Sequence, residues 1–178
     1  PAPEGATVRV SGNGPVKTAV TDAAGAFSLT AGRVQRKVTL RVWYAGDEDH
    51  LPAQADPVVV KPMAALSRPK VVQKSFWTDP SRLPPPARWA VSGTLRPRHA
   101  AGSKAVTLIV STRRTSLDDW KVSRTVRVAV RNAGAASSYA ATISLPWSFL
   151  TQWRVQAVHS DADHTKTLSA FSATFSQH

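Results

Sequence analysis

The amino-acid sequence predicts an all-β chain built as two tandem β-sandwich domains. Almost every apolar run is four to eight residues long, alternates with polar residues and ends at Gly, Pro, Asn or Asp. No segment carries the sustained apolar stripe at helical spacing that an amphipathic helix requires. The pattern x-Asp-x-Asp-His occurs at 46–50 and again at 160–164, each time before the last predicted strand of its half. These observations together predict short strands, tight turns and one architecture used twice.

Five strands are predicted in the first domain, which we assign to residues 1–66. They are Thr7–Val10, Lys17–Thr21, Ala26–Thr30, Lys37–Ala45 and Pro57–Val60. Alternation places Phe27 and Leu29 on one face of the third strand. Pro62 and Pro69 restrict the chain on either side of 64–69, which marks a natural domain boundary.

Seven strands are predicted in the second domain, which we assign to residues 67–178. They are Lys70–Trp77, Trp89–Arg96, Lys104–Thr112, Trp120–Arg131, Tyr139–Leu145, Gln152–His159 and Thr165–Phe175. Alternation predicts one interior face, made by Val91, Leu95, Val106, Leu108, Val126, Val128, Ile143, Val155, Phe171 and Phe175. Val122 is predicted on the same face as Val126. Arg124 interrupts the alternation, which predicts a bulge or a snorkelling side chain there.

The composition excludes several classes of protein. The 178 residues contain no cysteine, so a disulfide framework, a cysteine-ligated metal and a thiol nucleophile are all excluded. No apolar run reaches eighteen residues, so no membrane span is expected. Ser, His and Asp are present without a Gly-x-Ser-x-Gly elbow, and no histidine pair has the spacing of a metal-binding helix. His159 and His164 could approach across a turn, but a third ligand is not evident. We expect neither enzymatic activity nor a cofactor.

The charge is concentrated in the second half of the chain. Residues 1–60 hold six basic and six acidic side chains, whereas residues 61–178 hold seventeen basic and five acidic ones, a net of +12. This asymmetry predicts that only the second domain meets an anionic partner. The alternative is that these cations only solvate the outer faces of strands. The basic candidates for binding are Arg96, Lys121, Arg127, Arg131 and Arg154.

Two domain-specific sets of motifs carry a family resemblance. The first domain has Gly5-Ala6-Thr7-Val8, then 21–27 at a hairpin, then Tyr44-Ala45-Gly46-Asp47. The second has 91–103, Trp153-Arg154-Val155 and 160–164. In these motifs the chain resembles the bacterial immunoglobulin-like repeats of secreted actinobacterial proteins. The resemblance implies tandem immunoglobulin-like β-sandwiches, outside the cell, within a larger polypeptide.

The resemblance also implies a non-catalytic role as a structural or adhesive module, with a carbohydrate-binding accessory module of a secreted enzyme as the alternative. The preferred partner is an anionic cell-envelope polymer or a polysaccharide, and no specific nucleic acid is expected. Counterparts of Lys70–Trp77 and Trp89–Arg96 are missing from the first domain. We therefore expect it to lack its first two strands and to have an open or partner-covered edge.

Tryptophan and aspartate supply the remaining candidates. Trp120, beside a turn, and Trp147, near a strand end, are the expected exposed pair, on which a sugar ring could stack. The alternative for each is packing at the core or rim. Hard oxygen ligands for calcium are offered by Asp47, Asp49, Asp161 and Asp163. The sequence favours the alternative that these aspartates cap turns, so no metal is expected.

Overall fold

The computed structural model describes residues 2–12, 14–30, 32–75, 81, 86–146, 148 and 150–176. These residues form strands, bridges and turns without any helix, which confirms the all-β prediction. None of them belongs to a helix long and apolar enough to cross a membrane. The chain packs as two compact units, one of residues 1–62 with 162–164 and the other of residues 63–161 with 165–178.

The first unit contains one five-stranded antiparallel sheet. Its strands are β1 (Thr7–Ser11), β2 (Lys17–Val20), β3 (Val38–Tyr44), β4 (Ala53–Gln54) and β5 (Val58–Val60). The sheet order is β2-β1-β3-β4, and β5 pairs with the start of β3. Four of the five predicted strands are therefore present, and each of them pairs with a neighbouring strand of the sheet.

The predicted strand Ala26–Thr30 is wrong. These residues are not assigned to a strand, and Phe27 is 39% exposed. Asp22 instead organises this part of the chain, because its carboxylate accepts hydrogen bonds from the backbone N–H of Ala24 and of Ala26. The core of the unit is small and consists of Ala6, Val8 and Tyr44, with Val42 packed against them.

The second unit contains nine described strands in two antiparallel sheets. They are β6 (Ala65–Leu66), β7 (Lys70–Gln73), β8 (Ala87–Arg96), β9 (Val106–Arg113), β10 (Lys121–Val128), β11 (Val130–Ala133), β12 (Ala136–Leu145), β13 (Gln152–His159) and β14 (Thr167–Leu168). The four-stranded sheet has the order β10-β9-β13-β14. The five-stranded sheet has the order β11-β12-β8-β6, with β7 also paired to β8.

One apolar core joins the inner faces of these two sheets. Val91 and Leu95 from the five-stranded sheet and Leu108 and Val155 from the four-stranded sheet are all fully buried, as the alternation predicted. Of the other predicted core residues, Val106, Val128 and Ile143 are buried too, and Val126 is partly buried and packs against the core. Trp89, Tyr139 and Trp153 complete the filling of this core. Large aromatic side chains contribute strongly to such a core because each removes an extensive apolar surface from water.

The predicted strand Trp120–Arg131 is two strands that belong to different sheets. Strand β10 pairs with β9, whereas β11 pairs with β12 of the other sheet. The predicted bulge is confirmed, since the register shifts between Val122 and Arg124. A one-residue shift moves every earlier side chain of the strand to the opposite face. Val122 is therefore 64% exposed, and its predicted inward position is wrong.

The predicted final strand is shorter than expected. Within 165–175 only β14 and single bridges of Thr165 and Phe175 are formed. Two serine hydroxyls add to the backbone bonds of this segment. Ser169 Oγ and Ser172 Oγ accept hydrogen bonds from the backbone N–H groups of Ala157 and Val155, and the backbone N–H groups of the same serines donate to the carbonyls of Ala157 and Val155. Phe175 packs against the core at Trp89.

Candidate functional site

The outer surface of the five-stranded sheet in the second unit is basic. On β8 the side chains alternate between the core and this outer surface, so Arg88 and Arg96 both point outward and are exposed. Lys70 on β7 and Arg131 on β11 are exposed on the same surface. We call these four residues the basic face.

The register shows what surrounds the four cations. Lys70 lies opposite Ser92, Arg88 opposite Ser144, Arg96 opposite Ala65 and Arg131 opposite Ser138. These small neighbours leave room around the charged groups on the outer surface of the sheet. Arg88 and Arg96 are eight residues apart on one strand, which corresponds to about 27 Å.

Acidic residues are absent from the strands that build this unit. None of the nine described strands contains Asp or Glu, and Asp118, Asp119 and Asp161 all lie between strands. The positive potential of the basic face is therefore not cancelled by carboxylates within the sheet.

The predicted basic residues do not form one surface. Lys121 and Arg127 are exposed on β10 of the other sheet, opposite Thr112 and Thr107. Only Arg96 and Arg131 of the predicted set lie on the basic face. Sequence reasoning missed Lys70 and Arg88 as binding candidates. The alternation could have identified both. Lys70 precedes Val71 and Arg88 precedes Trp89, and consecutive residues of a strand point to opposite faces, so each cation lies on the face opposite a residue that packs on the core.

Trp120 and Arg154 lie in one stack of aromatic rings and guanidinium groups. The guanidinium carbon of Arg154 is 4.3 Å from the ring centre of Trp120 and 3.6 Å from that of Phe171. The guanidinium carbon of Arg113 is 4.6 Å from the Trp120 ring. Such distances are typical of cation–π contacts. Trp120 is thus half-buried under arginines, an arrangement that leaves less ring for a sugar than the sequence suggested.

The same stack explains the position of Phe171 and the state of Arg154. Phe171 packs on the Arg154 guanidinium and is only partly buried, so its predicted place in the core is wrong. The pKa of Arg154 is lowered from its ordinary value, first because burial disfavours the charged form and then because Arg113 is nearby. The other predicted platform residue, Trp147, lies outside the described residues.

The acidic loop of the first unit is a hydrogen-bonded turn. Asp47 Oδ1 accepts a hydrogen bond from the backbone N–H of Asp49 at 3.0 Å and lies 2.8 Å from His50 Nδ1, while the Tyr44 hydroxyl donates to Asp47 Oδ2. The Tyr44 bond, followed by that to His50, lowers the pKa of Asp47 to about 2. The bond to Asp47 also raises the pKa of Tyr44 to about 12. The Asp47 carboxylate therefore acts as the turn-capping acceptor that the sequence favours.

In the second copy of the pattern, the Asp161 carboxylate lies beside two histidines. Its Oδ2 atom is 3.3 Å from the Nε2 atom of His159, two residues earlier, and 3.2 Å from the Nε2 atom of His99, which lies between β8 and β9. Asp49 and Asp163, the remaining calcium candidates, are both exposed.

A cleft of about 590 Å³ opens in the first unit. Three aromatic residues, Phe27, Trp43 and Tyr44, contribute to its lining. Polar groups are supplied by residues that include His50 and Gln54. This combination of apolar rings and a few hydrogen-bonding groups is typical of small-molecule and sugar sites.

Comparison of the chain with protein-family models, curated proteins and solved structures finds no match.

Proposed function

We propose that this chain is a tandem immunoglobulin-like module of a larger secreted or cell-surface protein, with a structural and adhesive role and no catalytic one. We number the strands of the second unit from β7 as strand one to β14 as strand eight. One sheet then has the order one, two, six, five, and the other has the order four, three, seven, eight. That division supports an immunoglobulin-like arrangement, in which the A, B, E and D strands face the C, F and G strands, with strand four as an additional edge strand. The strand order supports the fold part of the proposal, and the resemblance supports the location.

The basic face carries the binding part of the proposal. Lys70, Arg88, Arg96 and Arg131 present four exposed cations on a sheet without carboxylates. An array of cations along one face of a sheet suits an extended polyanion, such as teichoic acid or an acidic polysaccharide, whose repeated charges can meet several cations at once. Anionic polymer of the cell envelope is therefore the partner we propose.

The test is retention on immobilised heparin and on lipoteichoic acid. The double variant R96E/R131E should elute at a clearly lower salt concentration than the native chain, since it reverses two of the four charges. The matched control is R9E/R41E, which makes the same change in net charge at exposed strand positions of the first unit. Equal losses in both variants would show that net charge alone governs retention and would contradict the basic face. Retention that does not weaken as salt rises would contradict an electrostatic mechanism.

A second candidate function is supported by the aromatic cleft of the first unit. We infer from Phe27, Trp43 and Tyr44 that this cleft could hold a sugar, as a carbohydrate-binding accessory module would. Affinity electrophoresis in gels containing neutral polysaccharides tests it. Retardation should be lost in F27A and kept in W120A, since Trp120 does not line the cleft. Equal retardation of both variants would contradict this second function.

A further inference from the structure

Two histidines and an aspartate converge at one end of the second unit. His159 is the last residue of β13, Asp161 follows it by two positions, and His99 lies in the connection between β8 and β9. The Nε2 atom of His99 is 3.2 Å from Asp161 Oδ2, and the Nε2 atom of His159 is 3.3 Å from the same oxygen. The His159 side chain is fully buried, that of His99 is 11% exposed and that of Asp161 is 31% exposed.

Backbone carbonyls fix the tautomer of both rings. His99 Nδ1 lies 2.8 Å from the Pro97 carbonyl oxygen, and His159 Nδ1 lies 2.7 Å from the Ala105 carbonyl oxygen. A carbonyl oxygen can only accept a hydrogen bond, so each Nδ1 must carry the proton that it donates. In the neutral rings both Nε2 atoms are then acceptors, and both lie against a carboxylate oxygen.

Three acceptors that converge in this way require a positive centre among them. A metal ion meets that requirement, and histidine ligands of metals commonly donate the other ring N–H to a backbone carbonyl, as both do here. Zinc bonds to imidazole nitrogen and carboxylate oxygen at about 2.0–2.2 Å, which in tetrahedral geometry separates the ligand atoms by about 3.3–3.6 Å. The separations of 3.2 and 3.3 Å lie just below that range and at its lower limit. Two imidazoles favour zinc over calcium or magnesium, which prefer oxygen ligands only.

We propose that His99, His159 and Asp161 form a zinc-binding site. The ion would join the end of β13 to the connection between β8 and β9. Ser137 supports this geometry, because its buried hydroxyl accepts a hydrogen bond from the backbone N–H of His99 at 2.9 Å. The site involves none of the basic-face residues and is independent of polyanion binding.

Zinc titration of the full chain, without a histidine tag and after removal of metals by chelation, tests the proposal. Calorimetry should give one zinc ion per chain, and the melting temperature should rise by several degrees with excess zinc, because an ion that binds only the folded state stabilises it. The near-isosteric variants H99Q and D161N should each weaken zinc binding at least tenfold. The matched controls are D47N and H50Q, which remove one member of the Asp–His pair in the first unit and should leave zinc binding unchanged.

Two further measurements keep the proposal testable if a variant fails to fold. Cobalt added to the native chain should give the intense visible absorption of tetrahedral coordination. The imidazole ¹⁵N signals should show both Nε2 atoms shifting on zinc addition. Absence of tight zinc binding, or binding lost equally in H50Q, would overturn the proposal. A doubly protonated His99 or His159 near neutral pH that does not respond to zinc would overturn it as well, since a proton would then be the positive centre.

Discussion

At the scale of single residues, Gly93 has little room for a side chain. It lies opposite Tyr139 in the sheet, and a Cβ atom there would be 2.2 Å from the Tyr139 hydroxyl oxygen and 2.8 Å from Ser67 Oγ. Tyr139 is 1% exposed, so its ring cannot move aside without disturbing the core. We expect Gly93→Ala to lower the free energy of unfolding by about 1–3 kcal/mol, as overpacking does. Denaturant unfolding measures this, with T94A at the exposed neighbouring position as the control; equal stabilities would contradict the packing argument.

The pair formed by Tyr44 and Asp47 should give the first unit a defined pH dependence. The pKa of Asp47 is lowered from 3.8 to about 2, so the stability that this carboxylate adds is present above pH 3.8 and is lost as the pH falls towards 2. The pKa of Tyr44 is raised from 10.0 to about 12, so the stability added by the neutral hydroxyl is present below pH 10 and is lost as the pH rises towards 12.

The variant Y44F tests both halves of this prediction. It removes the hydroxyl that causes most of the shift, so the pKa of Asp47 should move back towards its ordinary value. NMR titration of the Asp47 carboxyl carbon measures that movement, and thermal unfolding at pH 9–12 should show a smaller loss of stability in Y44F. An unchanged Asp47 pKa in Y44F would show that the Tyr44 bond is not its main cause.

At the scale of elements, the bulge in β10 separates two valines that simple alternation places together. Val122 is 64% exposed, whereas Val128, beyond the bulge, is 4% exposed. The isosteric change V128T would bury a hydroxyl among apolar residues and should cost about 1–3 kcal/mol. The same change at Val122 should cost less than about 0.5 kcal/mol. Chemical denaturation of the two variants compares them directly, and equal costs would place the bulge elsewhere.

The alternation of apolar and polar residues correctly predicted the strands whose inner face packs against the opposite sheet. It failed for a segment that is only partly covered by the rest of the protein. Val91, Leu95, Leu108 and Val155 follow the pattern because the two sheets oppose each other, which makes one face of each strand unambiguous. Ala26–Thr30 shows the same alternation without pairing in a sheet. Alternation reports only which side chains prefer burial, and it cannot show whether a neighbouring strand is available.

The candidate sites were harder to predict because they depend on contacts between distant residues. Arg96 and Arg131 were predicted as binding residues, but their common surface follows from the β8-β12-β11 order, which the sequence does not state. His99 and Asp161 are 62 residues apart, so their convergence could not be seen in any local motif. The sequence suggested an approach only for His159 and His164, because these two residues are five positions apart on either side of a turn.

At the scale of the whole molecule, the two units have cores of very different size. The first buries Ala6, Val8 and Tyr44 around its sheet, whereas sixteen buried residues from two opposed sheets make the core of the second. Because burial of apolar surface is the main favourable term in folding, the first unit should have much the smaller stability. The first unit also exposes Leu51 and several valines, which adds nothing to its stability.

We therefore expect the chain to unfold in two steps, with the first unit unfolding at the lower denaturant concentration. Trp43 is the one tryptophan within residues 1–62, and the other five lie after residue 76. Tryptophan fluorescence should accordingly change in a small early step that comes from Trp43 and a larger late step. The variant W43F should abolish the early fluorescence step while the early change in far-ultraviolet circular dichroism remains. A single transition, in which fluorescence and circular dichroism coincide in both proteins, would show that the two units unfold as one cooperative body and would contradict this prediction.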